Sequence, residues 1–355
     1  MPVNRTPAAS GTRRWTWAAT ALVVAGTLTA CGARSPASGR SLSLTLYNGQ
    51  HVQTTDSLVT GFERATGITV NVRSDDEDTL ADEIVTEGAR SPADVIYTEN
   101  SPALEYLQDK GLLAKTDPST LARAPRQYDS PDGDWVAVSA RVSVLIYNPR
   151  LISKAQLPTS VLQLADPRYK AKLAFAAGET DFQPVVTSVA QAYGTKAALQ
   201  WLEGIKANAG AHIYPDNETI ADDVNRGAIA LGVVNQYYWY RMRAEIGVSN
   251  MHSDIAYFAP HDPGYIVDVS GAAALKSSKH PAAAQRFLAY LVSQHAQEVI
   301  ADPAESNSFE YPIVAGVSTL APETPFDELT PYPITVSRLG DGSTAIRLLQ
   351  QAGLL

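Results

Sequence analysis

"LSLTLYNG", residues 42–49, decides how the chain is read. Leu42, Leu44 and Leu46 alternate with Ser43 and Thr45, and Asn48-Gly49 closes the run, which predicts a strand ending in a turn. Next, "TDSLVTGFERATG" (55–67) places Leu58, Val59, Phe62 and Ala65 at helical spacing, with an Asp near its start and Gly67 at its end. "ITVNVRS" (68–74) predicts a second strand, "DTLADEIVTEGA" (78–89) a second helix and "ADVIYTEN" (93–100) a third strand. Strand–helix alternation with helix-length crossovers implies a largely parallel α/β sheet. Ligands of such sheets bind beyond the carboxyl ends of the strands. His51 and Glu99 both fall just past strand ends, on the same rim.

The pattern then restarts. "WVAVSARVSVLIYNP" (135–149) is too long for one compact strand pairing and reads as a hinge connection. "AKLAFAAG" (171–178) and "AIALGVVNQ" (228–236) predict strands, with helices over "VVTSVAQAYG" and "TKAALQWLEGIKAN" between them. "GYIVDVSGAAALK" (264–276) reads as a return crossing. "HPAAAQRFLAYLVSQHAQEVIA" (280–301) predicts one amphipathic helix, and "TAIRLLQQAGLL" closes the chain with another helical pattern. Two α/β lobes joined by two crossings give a cleft that hinges shut on a ligand. The expected lobes are 42–143 plus 268–318 and 144–267 plus 319–355.

The 355 residues suit two domains, and 45% hydrophobic with 18% charged residues is a globular balance. A net charge of −9 supplies no basic face for nucleic acid. Residues 1–30 have the form of an export signal: Arg5, Arg13 and Arg14, then an apolar run from Trp15 to Leu28, then small residues. "LTAC" (28–31) looks like a bacterial lipobox, with Cys31 as the lipidated first residue of the mature chain. Arg13-Arg14 is a poor match to twin-arginine export. Residues 31–41 read as a lipidated cysteine and a flexible Pro/Gly/Ser-rich tether. Cys31 is the only cysteine, so no intrachain disulfide is available.

G-x-S-x-G, H-E-x-x-H, P-loop and strand-linked G-x-G-x-x-G motifs are all missing, and nothing nominates catalysis. The polar features at strand ends are His51, Glu99 and the pair Tyr237-Tyr238 in "NQYYWYR" (235–241). A neutral imidazole, one carboxylate and two phenolates together balance a trivalent cation. Their oxygens are hard donors. A tyrosine of pKa about 10 ligates at neutral pH only if a strong Lewis acid displaces its proton, and ferric iron does. Neighbouring tyrosines diverge in a strand and in a helix; they reach one atom only at a strand-to-helix turn. Trp239 and Tyr240 would then pack behind the site. Each feature also has a plain alternative: aromatic core, a solvated loop histidine, and Glu99 capping the helix that begins at "SPALEYLQDKG".

On "LYNGQH", "FERATGITV", "PADVIYTEN", "GLLA", "NQYYWY", "HDPGYIVDVSGAAALK" and "AIRLLQQAGLL", the chain resembles the periplasmic ferric-ion-binding proteins, over nearly all of 42–355. The resemblance implies a two-lobed periplasmic-binding-protein fold of type II, each lobe a mixed, mostly parallel sheet flanked by helices. It implies a monomeric solute-binding protein rather than an enzyme, delivering Fe3+ to ABC permease and ATPase subunits, and anchored to the cell membrane only through lipid. It carries metal ligation onto His51, Glu99, Tyr237 and Tyr238, with water or a synergistic carbonate or phosphate completing the shell. Asn217 and Asn235 match its anion contacts, and Asn100 stands where it has Gln. Gly178 and Thr180 in "AAGETDF" (176–182) are further candidates, while Glu179 and Asp181 there oppose phosphate by like charge. Arg141 is a candidate cation near the anion, or a structural ion pair. The alternative is a binding protein for an organic or oxyanion ligand, which requires a cationic residue facing that ligand.

Overall fold

A computed structural model describes residues 42–319 and 321–355. The signal segment, Cys31 and the tether lie outside these residues. The strands are β1 Ser43–Asn48, β2 Thr69–Ser74, β3 Val95–Thr98, β4 Val136–Tyr147, β5 Leu173–Ala174, β6 Leu231–Asn235, β7 Asp254–Ala256, β8 Val267–Ala274 and β9 Tyr311–Pro312. Helices of eight residues or more are α1 Val52–Thr66, α2 Glu77–Glu87, α3 Pro102–Asp109, α4 Gln183–Tyr193, α5 Thr195–Ala209, α6 Asn217–Arg226, α7 Gln236–Ile246, α8 Pro281–Leu291, α9 Gln294–Ala301 and α10 Ser343–Gln351.

The opening strand forms because its alternation has a core to face. Leu44 and Leu46 are buried, and β1 pairs in parallel with β2 (Leu44 beside Val70) and with β3 (Leu46 beside Val95). Helix α1 returns between them, burying Leu58, Val59 and Phe62. Phe62 meets Phe287 of α8 edge-on, ring centroids 5.0 Å apart; a buried phenyl contributes about 1.5–3 kcal/mol. Gly67 ends α1 at φ 70°, its N–H donating to the Glu63 carbonyl, a conformation that favours glycine.

Strand β4 carries the organisation. All twelve of its residues are buried. Residues Val136–Val142 pair with β8, whose other edge pairs with β3. Residues Ser143–Tyr147 pair with β6, which in turn pairs with β5. One strand therefore belongs to both sheets, changing partners between Val142 and Ser143. The parallel pairing expected from strand–helix alternation holds for β1 with β2 and β3, and for β5 with β6. Antiparallel ladders complete each sheet: β8 with β3 and β4 in the first, and β4 with β6 and β7 in the second.

Two expectations are corrected. The apolar pattern over 280–301 is two helices, α8 and α9. Ser293 interrupts it as the N-cap of α9, its hydroxyl accepting from the Ala296 N–H. The strand expected over 171–178 shortens to Leu173–Ala174, and Glu179–Phe182 turn instead into α4.

Candidate metal centre

The first half of the site stands at the carboxyl ends of β1 and β3. Asn48 shapes the turn after β1: its Oδ1 accepts from the Gln50 N–H at 3.2 Å and its Nδ2 donates to the Gln50 carbonyl at 2.7 Å. Gly49 is required there, since a Cβ would lie 2.6 Å from the Glu77 Cβ. His51 then takes the N-cap position of α1 without using its side chain to cap, so the imidazole is free for the cleft. Glu99 follows β3 in the same way. His51 and Glu99 keep 15% and 18% side-chain exposure, enough to be reached from the cleft, and Nδ1 lies 3.6 Å from Glu99 Oε1.

The second half comes from the β6–α7 junction. Asn235 is the last residue of β6 and the N-cap of α7, without a side-chain capping bond. Tyr237 and Tyr238 fall in the first turn of α7, with ring centroids 4.2 Å apart. Their hydroxyls converge on one atom: they donate to Asp181 Oδ2 at 2.9 and 3.0 Å. Tyr237 donates also to Glu99 Oε1 at 2.5 Å, and its ring meets His51 edge-on at 5.2 Å. The structure thus brings His51, Glu99, Tyr237 and Tyr238 together. The positive end of the α7 dipole favours phenolate at that turn. Trp239 and Tyr240 are buried behind it, packed edge to face at 4.9 Å.

Burial sets the protonation of this cluster. Both phenols lie well above the ordinary tyrosine range, through burial and then the charges of Asp181 and Glu99. Glu99 and Asp181 are raised chiefly by burial. His51 is pushed down to about 3 by burial and by Arg241, so it is a neutral donor near pH 7.

The residues expected to hold an anion are arranged differently. Asn100 Nδ2 donates to Asp181 Oδ1 and to Thr180 Oγ1, both at 3.1 Å. Asn217 Nδ2 donates to Asp181 Oδ2 at 3.2 Å. These donors serve Asp181's own carboxylate, in the region where sequence reasoning placed an exogenous anion and counted Asp181 against it. Gly178 stands farther out, lining a cavity of about 320 Å3 at the mouth with Asp76, Glu99, Glu179 and Thr180. Arg141 is buried beside the site, its guanidinium 5.6 Å from the Tyr237 ring. Its Nη2 pairs with Glu310 Oε1 at 2.6 Å and with Ser270 Oγ at 3.0 Å, and Nη1 donates to Asn100 Oδ1 at 3.2 Å. Arg141 and Glu310 are 1% and 0% exposed. Burial opposes both charges, but each holds the other ionised: Glu310 lies below the usual carboxylate range and Arg141 well above its own.

Sequence reasoning missed Glu310, Gln50 and Arg241, and assigned Asp181 an opposing role. Arg241 stands one turn along α7 from Tyr237, its guanidinium 5.2 Å from that ring. The i,i+4 spacing in "YYWYR" was the signal for it; Glu310, reached only through long-range folding, offered none. Among the described residues, no three His, Cys, Asp or Glu side chains by themselves could hold a metal ion. The donor set depends on its phenols.

Comparison with known proteins agrees with this architecture. Residues 48–298 match the family described as bacterial extracellular solute-binding protein. The chain is 35% identical over 335 residues to the Fe(3+)-binding periplasmic protein of Serratia marcescens, covering 94% of this chain and 97% of that one. It is 35% identical over 313 residues to the major ferric iron-binding protein of Neisseria meningitidis, covering 88% and 93%. Its fold matches iron-bound HitA from Pseudomonas aeruginosa with a TM-score of 0.83 at 40% identity, covering 88% of this chain and all of that one. The strand shared between two sheets, the cleft between strand ends and these matches lead to one conclusion: the chain belongs to the bacterial extracellular solute-binding proteins, with the two-lobed type II fold.

Proposed function

We propose that the protein captures ferric iron as its cargo between two lobes, 42–143 plus 268–318 and 144–267 plus 319–355, and that His51, Glu99, Tyr237 and Tyr238 are ligands. The observation that carries this reading is the convergence of two adjacent phenols on Asp181 of their own lobe, with Tyr237 also reaching Glu99 across the cleft. The phenol protons bridge the same oxygens that a trivalent cation would hold together. The Fe(3+)-binding and ferric iron-binding names of two relatives and the iron-bound state of HitA support the same cargo.

Asp181 is the fifth donor in this reading. Glu99, Asp181 and two phenolates carry four negative charges. The Arg141–Glu310 pair is neutral in itself, and Arg241, 3.7 Å from the more exposed Glu218, stands 5.2 Å from the Tyr237 ring and offsets part of that charge beside a trivalent ion. Water or a small anion such as carbonate then has one octahedral position, and phosphate is disfavoured by the Asp181 charge. The Asn100 and Asn217 contacts orient Asp181.

The protein acts as a binding protein rather than an enzyme, delivering iron as a monomer to ABC permease and ATPase subunits. Cys31 supplies a lipid anchor to the cell membrane; no helix among the described residues is long and apolar enough to span it. The test is optical. Residues 41–355, loaded with ferric citrate and desalted, should show a visible tyrosinate-to-iron charge-transfer band. A colourless, iron-free product sinks the proposal.

A further inference from the structure

Gln50 lies between His51 and the buried polar network of the crossing strands. Its side chain is 3% exposed. Its Oε1 is 2.7 Å from the backbone nitrogen of His51 and 2.7 Å from His51 Nδ1. The opposite end of the amide, Nε2, is 2.5 Å from Ser270 Oγ in β8 and 3.5 Å from Glu310 Oε2.

These contacts fix the orientation of the amide. A backbone N–H can only donate, so the atom it meets is the carbonyl oxygen. A carboxylate oxygen can only accept, which places the NH2 at the Glu310 end. With the amide fixed, the contact between Gln50 Oε1 and His51 Nδ1 requires a proton on Nδ1. The other near neighbours of that nitrogen are also acceptors: Glu99 Oε1 at 3.6 Å and Glu310 Oε1 at 3.8 Å.

We propose that Gln50 is a positioning residue that holds His51 as its Nδ1–H tautomer and so makes Nε2 the nitrogen that donates to the metal. A ligating imidazole must be neutral and offer one lone pair. Hydrogen bonding at the other nitrogen fixes both tautomer and ring orientation. A glutamine does this without adding charge to a site already rich in carboxylates. Ser270 holds Gln50 in turn, and itself accepts from Arg141 and donates to Glu310 at 3.0 Å each. The His51 ring is thereby registered on the two crossing strands, not only on the turn that carries it.

The metal half of this proposal rests on the ferric reading; the tautomer does not. The test labels histidine nitrogens in the iron-free protein and records long-range proton–nitrogen correlation spectra, with His51→Ala assigning the signal. Wild type should show a protonated Nδ1. Gln50→Glu should keep it, because a carboxyl oxygen there still accepts from the Nδ1–H. Gln50→Leu should shift His51 toward the Nε2–H form. The loaded Gln50→Leu protein should lose iron to excess EDTA faster by roughly 10–100-fold, the range for such outer partners, while Gln50→Glu stays near wild type. An Nε2–H tautomer in wild type, or Nδ1–H persisting in Gln50→Leu, overturns the proposal. So does a tautomer change in Gln50→Leu without faster iron loss. A wild type that never acquires the visible band overturns the ferric reading and the metal half together, while the tautomer is still read in the iron-free protein.

Discussion

The Tyr237 hydroxyl donates to Glu99 Oε1 across 2.5 Å, joining residues 138 positions apart. One follows a strand of the first sheet and the other opens a helix leaving the second. That contact marks where a cation would tie the two sheets together.

Tyr237→Phe and Tyr238→Phe each remove one phenolate. Each should weaken iron binding by more than the roughly 10–100-fold typical of outer-shell partners, and should shift or remove the visible band. The stability of the iron-free protein should fall by no more than about 1.5–3 kcal/mol, the range for a hydrogen bond to a charged group. A double variant with an unchanged band would show that other groups hold the iron.

Asp181→Ala separates a built-in carboxylate from an exogenous anion. Wild-type loading should be indifferent to added phosphate. Asp181→Ala should lose iron readily in anion-free buffer and recover when carbonate or phosphate is supplied, since Asn100 and Asn217 are then free to donate to it. Chelator competition with and without added anion reads this out. An equal anion dependence of both proteins would remove Asp181 from the ligand set.

Iron affinity should rise with pH. Both phenols are protonated near neutrality, their pKa values raised by burial and by Asp181, so each ferric ion displaces two protons. The logarithm of the affinity should climb by about two per pH unit around pH 7, since ligands must deprotonate to bind. Protonation of Glu99 and Asp181, whose pKa values are also raised, steepens the loss as pH falls. His51, held at about 3, adds nothing in this range. Competition against a chelator of known protonation from about pH 5.5 to 8 measures the slope, and a flat profile would exclude phenolate ligation.

Arg141→Met leaves Glu310 charged, buried and without its ion-pair partner. It should destabilise the iron-free protein by about 3–5 kcal/mol in urea unfolding, the usual cost of breaking a buried pair. Adding Glu310→Gln should recover much of that loss. Equal stability of the single and double variants would mean that the pair is not coupled.

How much of this was legible in the sequence depends on range. The β1 turn and the end of β3 announced themselves because alternation, Asn-Gly and polar terminators are local signals. The Tyr pair is expected at a strand-to-helix turn because neighbours reach one atom only there and the flanking patterns change from strand to helix, and the structure puts it in the first turn of α7. Asp181 is legible as a charge that opposes phosphate, but not as a partner of both phenols. Sequence shows a carboxylate near an anion site, but not that Asn100 and Asn217 are already turned toward it. Glu310 was invisible because "NSFEYP" has no periodicity; its meaning comes from β9 returning to pair with β4 at Ala140 and Ser139. Ser293 was overlooked because the apolar spacing runs through 280–301 with no Gly or Pro to break it after Pro281.

The strand common to both sheets has a mechanical consequence. Residues Val136–Tyr147 contain no loop in which a rotation between the lobes could be absorbed. Any opening of the cleft must be taken up as added twist distributed along β4 and β8, like a torsion bar whose stiffness is set by its ladder of hydrogen bonds. Such a bar stores work reversibly when it is twisted, so a cation that draws the two rims together from an opened form is helped by the spring that opening wound.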